Sequence, residues 1–172
     1  MPFKLYTSVL LSLLAASITT ALSVPTTPTK LYNFGADGSA TFLDSDAGED
    51  PRSLWIRRHQ DPASNAIVWD VRSVAGRSNA YTICHEETGL AWVISSEDRS
   101  LDWLVLSNQS APAVFSFSDN VDGTFRISLA DDAAKGVLEA HGVAHTPLDY
   151  VKFEAVRNGE DFYLPFQTWS FV

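Results

Sequence analysis

Side chains able to do chemistry are few and scattered in this 172-residue chain. Of the four histidines, His59, His85, His141 and His145, only the last two are close, at i and i+4. That spacing converges on a metal only in a helix, and Gly142 and Pro147 oppose one, so no metal site is expected. Asp131-Asp132 and Glu49-Asp50 read as solvated turn acids rather than a spaced acid–base pair. Cys84 is followed directly by His85, but neighbours on a strand point to opposite faces, which leaves no thiol–imidazole dyad. The sequence carries no nucleophile elbow, phosphate loop or zinc signature. A protein without catalysis, cofactor or metal is expected.

The aromatic residues are a better guide. Phe166 to Val172 alternates residue by residue, the period of a strand with two different faces. The same pattern recurs at Ala66–Val71 and Ala113–Phe117, and the aromatics Trp69, Phe115 and Trp169 recur at near-constant intervals. Three such strands point to an internal repeat.

The elements that would position these residues can be laid over one another. First strands are expected at Lys30–Asn33, Ala80–Ile83 and Thr124–Ile127, and second strands at Ala40–Leu43, Leu90–Val93 and Gly136–Glu139. Third strands fall at Ser53–Ile56, Leu101–Leu104 and Asp149–Lys152, carrying Trp55, Trp103 and Tyr150. Between them lie Gly, Asp, Asn, Ser and Pro clusters, and no long stretch sustains a helical period. Three units of four strands predict an all-β fold, a β-trefoil, in which no unit buries its own apolar face and all three share one core. Tyr32, Tyr81 and Phe125, with Trp69, Phe115 and Trp169, are the expected core contributors. A β-sandwich is the competing architecture, but it gives no reason for the triple correspondence.

The chain opens with Lys4 ahead of an apolar run from Leu5 to about Ala16, then Ala21-Leu22-Ser23. This reads as a signal peptide over residues 1–23, since the run is shorter than the roughly 20 residues a membrane span needs. Val24–Lys30 reads as a short extended leader, and 31–172 as a single domain. Lys4 is the only charge in the first 23 residues, so the formal charge of −9 becomes −10 in the exported chain. Such a surface repels nucleic acid and anionic lipid, which argues against partners of either kind. Cys84 is the lone cysteine, so intrachain disulfides are excluded, and a buried apolar role is expected ahead of an interchain bond. Asn108-Gln109-Ser110 is a glycosylation sequon in an expected loop, consistent with a secreted, extracellular glycoprotein.

On its Gln167-Thr168-Trp169 ending, the sequence resembles the ricin-B-type lectin trefoils, whose units typically end in Gln-x-Trp. The resemblance covers about Leu31 to Val172, with the motif intact once. The equivalent places read Ile67-Val68-Trp69 and Ala113-Val114-Phe115. The resemblance implies a sugar site built within one unit. A carboxylate after the second strand accepts from hydroxyls, an aromatic on the third strand stacks on the pyranose, and an Asn or Gln before the fourth completes it. Such a site suits a ligand with hydroxyl edges and a C–H face. In the first unit these are Asp44 (with Asp46 as alternative), Trp55 and Asn65. Trp55 shares a strand face with Arg57, opposite Leu54 and Ile56, although packing in the barrel is the other reading of it. The third unit offers Glu139, Tyr150 and Asn158 as a possible second site, and the second unit, with Val93-Ile94 in place of an acid, offers none. A secreted carbohydrate-binding protein with one weak sugar site in the first unit is therefore expected, its partners glycans or glycoproteins. The alternative is a protein-binding trefoil, such as a secreted protease inhibitor or effector acting through Asp44–Arg52 and His141–Asp149.

Overall fold

The computed structural model describes residues 22–42, 52–58, 67–95, 104–120, 122–142, 148–159 and 162–172. Thirteen β-strands run through them: β1 Leu31–Asn33, β2 Gly38–Thr41, β3 Arg52–Ser53, β4 Trp55–Arg58, β5 Trp69–Ser73, β6 Tyr81–His85, β7 Ala91–Ile94, β8 Leu104–Ser107, β9 Phe115–Asp119, β10 Phe125–Leu129, β11 Val137–Gly142, β12 Leu148–Glu154 and β13 Trp169–Phe171. All pairings are antiparallel and join the strands into one continuous sheet, with a further β10–β11 pairing. No helix among the described residues is long and apolar enough to cross a membrane.

The three-fold plan is written in the register. Trp69, Phe115 and Trp169 are each opposite a residue of their own unit's first segment, at Thr29, Tyr81 and Phe125. Each is also opposite a residue of the following unit, at His85, Leu129 and Asn33. All three aromatics are 0% exposed, as are Leu31, Ile83 and Ile127, two positions beyond the first set of partners. The fold is a β-trefoil. Its pairing begins at Thr29, whose amide and carbonyl both bond Trp69, two residues ahead of Leu31.

This register corrects the strand-by-strand overlay. The equivalents of Tyr81 and Phe125 in the first unit are Thr29, not Leu31, so the overlay slips by two residues there. A two-residue slip preserves the alternation of inward and outward side chains, so patterning alone does not reveal it. The second-strand places follow: Ser39, Ala91 and Val137 are equivalent, being opposite Tyr32, Cys84 and Ser128. Tyr32 itself is not a core residue. Leu31 and Asn33 point inward, which turns Tyr32 outward, where its hydroxyl donates to Asp37. Burial first, and then that carboxylate, push its phenol up to about 12.

Two further departures have local causes. The first unit's third strand is split at Leu54: Arg52–Ser53 pairs with β8, while Trp55–Arg58 pairs with β2 and β12. Phe166 and Gln167 are not strand but belong to a 3-10 turn, Leu164–Gln167, in which Pro165 supplies a φ suited to a first turn. Gly136 enters β11 at φ 90°, and a Cβ there would stand 1.9 Å from the Glu154 carbonyl oxygen, so only glycine fits.

The indoles of Trp69 and Trp169 donate to equivalent second-strand carbonyls, Ala40 and Leu138, each at 3.2 Å. Phe115 cannot donate. At the position equivalent to Ala40 and Leu138 the second unit carries Trp92, whose ring meets Trp69 at 5.3 Å and Phe115 at 5.8 Å. A larger neighbour thus fills the volume that the smaller aromatic leaves. Trp169→Ala removes both a filled volume and a buried bond, so unfolding in urea should show a loss of about 3–5 kcal/mol. A loss below about 1 kcal/mol would mean that Trp169 is not part of a shared core.

Candidate functional site

Once the register is corrected, the residues opposite one another in the three second-to-third-strand hairpins can be compared. Thr41 faces Trp55, Val93 faces Val105, and Glu139 faces Lys152. The place taken by Glu139 in the third unit is thus held by Thr41 in the first and Val93 in the second. The Gln167 place is likewise held by Ile67 and Ala113. Carboxylate and amide coexist in one unit only.

In that unit they touch. Gln167 donates through Nε2 to Glu139 Oε2 at 2.7 Å and to the Ala155 carbonyl at 2.8 Å, and its Oε1 accepts from the Arg157 amide at 2.9 Å. Arg157 Nε adds a second donor to Glu139 Oε2 at 2.9 Å. Glu139 is 1% exposed and Gln167 0%, so the pair is an internal strut, tied to the Ala155 carbonyl and to Arg157. The strut lies beneath the outer face of the β11–β12 hairpin. Leu138 and Ala140 point to the core, so Glu139 and His141 point out, together with Tyr150, Lys152 and Glu154 from β12. Lys152 Nζ stands 2.5 Å from Glu154 Oε1, and that bond chiefly holds the Glu154 carboxyl below its usual range. The His141 ring stacks on Tyr150, with centroids 5.3 Å apart and planes 14° apart. Its Nε2 is 3.0 Å from Glu139 Oε1 and 3.6 Å from Glu154 Oε1 and makes a hydrogen bond to neither. Burial, then the Lys152 ammonium, hold the imidazole below its ordinary value against the opposing pull of the two carboxylates.

Of the expected first-unit site, only Trp55 falls within the described residues. Trp55 is half-buried on the outward face with Arg57, while Leu54 and Ile56 are buried, as the alternation predicts. Asp44 and Asn65 lie outside the described residues, as does the alternative Asp46. Trp55 is not the counterpart of Tyr150 but its direct neighbour, opposite it across the β4–β12 pairing. The indole Nε1 of Trp55 is buried without a partner. In the third unit, Glu139 and Tyr150 share one face. Asn158 is exposed in the segment after β12, and the amide that reaches the carboxylate is that of Gln167. Sequence reasoning missed His141 and Arg157 as members of this cluster. The available signal was that the single intact Gln-x-Trp falls in the unit that has Glu139.

The other candidates resolve simply. Cys84 is a free thiol packed with Ala91 and Val93, and burial pushes it up. His85 turns to the opposite side and meets Trp69 edge-on at 5.8 Å. His141 is on a strand, and His145 lies outside the described residues. Asn108 is exposed beyond β8.

This fold and face define a β-trefoil with, among the described residues, a polar, aromatic hairpin surface on its third unit. Among solved structures, the chain is similar to a designed three-fold symmetric protein, ThreeFoil, at a TM-score of 0.65 and 12% identity over 84% of this chain and 97% of that one. It is also similar to a salivary protein of the Cysteine and Tryptophan-Rich family from Culex quiquefasciatus, at 0.62 and 15% over 88% and 96%. An exo-β-1,3-galactanase from Clostridium thermocellum matches at 0.61 and 19%, over 86% of this chain but only 30% of the enzyme. Identities this low speak to the fold alone. No protein-family model matches the chain, and no curated protein matches it by sequence.

Gln167→Ala removes one donor to a buried carboxylate and the acceptor of the Arg157 amide. Denaturant unfolding should show a loss of about 1–3 kcal/mol. An unchanged midpoint would mean that the strut does not hold the hairpin.

Proposed function

We propose that this protein is a secreted, non-catalytic carbohydrate-binding module whose site is the outer face of the third unit, with Trp55 of the first unit as its adjoining wall. The observation that carries the reading is the Gln167–Glu139 bond, which fixes a carboxylate on the same hairpin face that carries Tyr150. A pyranose offers hydroxyls to the first and a C–H face to the second. The export signal and sequon in the sequence fit an extracellular glycan as partner. The third unit, rather than the first, is favoured because Thr41, not an acid, occupies the first unit's equivalent of Glu139.

The competing reading is a protein-binding trefoil. It draws on exposed aromatics: Phe162 at 77% exposed, Phe34, and Tyr163, whose ring lies 4.8 Å from the Arg157 guanidinium. A glycan array that includes β-1,3-linked galactose oligosaccharides separates the two. Weak but specific binding is expected, and Tyr150→Ala should reduce it about tenfold, the weight of about 1.4 kcal/mol, without shifting the unfolding midpoint. Silence at high protein concentration, together with inhibition in a protease panel, would decide for the protein-binding reading.

A further inference from the structure

Glu139 and Tyr150 are the two groups a sugar would need, yet His141 lies on both. Its ring covers one face of Tyr150 at 5.3 Å and 14°, and its Nε2 stands over Glu139 Oε1 at 3.0 Å. A flat ring stacked on an aromatic, with a nitrogen edge over a carboxylate, occupies the position that a pyranose would take with its hydroxyl edge over the same group. We infer that the His141 side chain is a built-in occupant of the third-unit site, which a pyranose-containing glycan must displace in order to bind. The inference rests on the carbohydrate reading and concerns how that site is regulated.

The way His141 is held supports displacement rather than permanent packing. Its Nε2 is buried without a directed hydrogen bond, so the ring is held by stacking and by undirected attraction to Glu139 and Glu154. The strut beneath does not depend on it, because Glu139 Oε2 is bonded by Gln167 and Arg157 whether or not the imidazole is present. Swinging His141 into water frees Oε1 and one face of Tyr150 and leaves the carboxylate anchored. A competent state populated only part of the time weakens apparent affinity by that fraction.

Acid should loosen the occupant. The groups facing the imidazole are Glu139 on its own strand, Tyr150, Lys152 and Glu154 on β12, and Arg157 beyond it. Their sum, with burial, places the covered imidazole below its ordinary value. A ring swung into water takes up its proton more readily, near about 6.5. The covered arrangement is therefore favoured above that value and loses ground as pH falls through it.

The test uses the full exported chain with chitotriose, laminaritriose and β-1,3-galactotriose as probes, read by calorimetry and by ring-proton NMR. His141→Ala should bind at least one probe about tenfold more tightly than wild type at pH 7.5, as expected when a site closed nine-tenths of the time is opened. His141→Phe keeps a ring over Tyr150 and should bind no better than wild type. Wild-type affinity should rise between pH 7.5 and 5.5, and that of His141→Ala should not. Wild-type NMR should show the His141 ring signals moving on titration, a measurement that stands even if a variant folds poorly. Equal binding by wild type and His141→Ala, or an equal gain in His141→Phe, would overturn the inference while leaving the carbohydrate reading in place. Absence of binding to any probe by wild type and His141→Ala alike would instead overturn the carbohydrate reading, and this inference with it.

Discussion

Every other feature depends on one constraint: no unit of this chain can bury its own apolar face. Trp69, Phe115 and Trp169 resolve it by each facing two first strands, one from their own unit and one from the next. The core is therefore common property, and each unit is tied to both others through backbone bonds. The entry of the chain is fixed by the same rule. Thr29 pairs with Trp69, and Lys30 exchanges bonds with Val172, so the start of the domain is stitched to its end.

A shared core leaves the outer hairpin faces free to differ, and they do. Second-unit positions are apolar at Val93 and Val105, whereas the third unit carries Glu139 and Lys152 at the same places. Core substitutions are compensated within the core, as when Trp92 stands beside Phe115 where the other units have Ala40 and Leu138. Outer substitutions need no such partner. The fold thus separates what must be kept, one buried aromatic per unit, from what can vary.

That separation explains what could be read in the sequence. The triple repeat, the buried fourth-strand aromatics and the outward turn of Trp55 all follow from period-2 alternation and from volume, which a linear sequence displays. Register does not. The first unit is displaced by two residues in the overlay because Leu31 and Thr29 have the same parity, and only hydrogen bonds distinguish them. The consequence reached the site. With the slip, Leu43 takes the place of Glu139 and the acid Asp44 follows it directly; with the true pairing, Thr41 has that place and Asp44 is three residues further on. The stacking of His141 on Tyr150 was equally hidden, since it depends on residues nine apart meeting across a hairpin.

The three units act as controls for one another. Ile67 and Ala113 stand where Gln167 does, and Thr41 and Val93 where Glu139 does, in units that fold onto the same core. The Glu139–Gln167–Arg157 cluster is therefore not a requirement of the architecture. Nor is it an obvious gain in stability, because the desolvation of a buried carboxylate consumes much of what its bonds return. A costly polar strut kept in one unit out of three, its carboxylate 3.0 Å from the imidazole that stacks on Tyr150, fits a role of that face better than a need of the barrel. The same comparison bears on His141. An imidazole whose Nε2 is buried without a hydrogen bond adds little to packing that an apolar ring would not supply, which fits the proposal that it can leave.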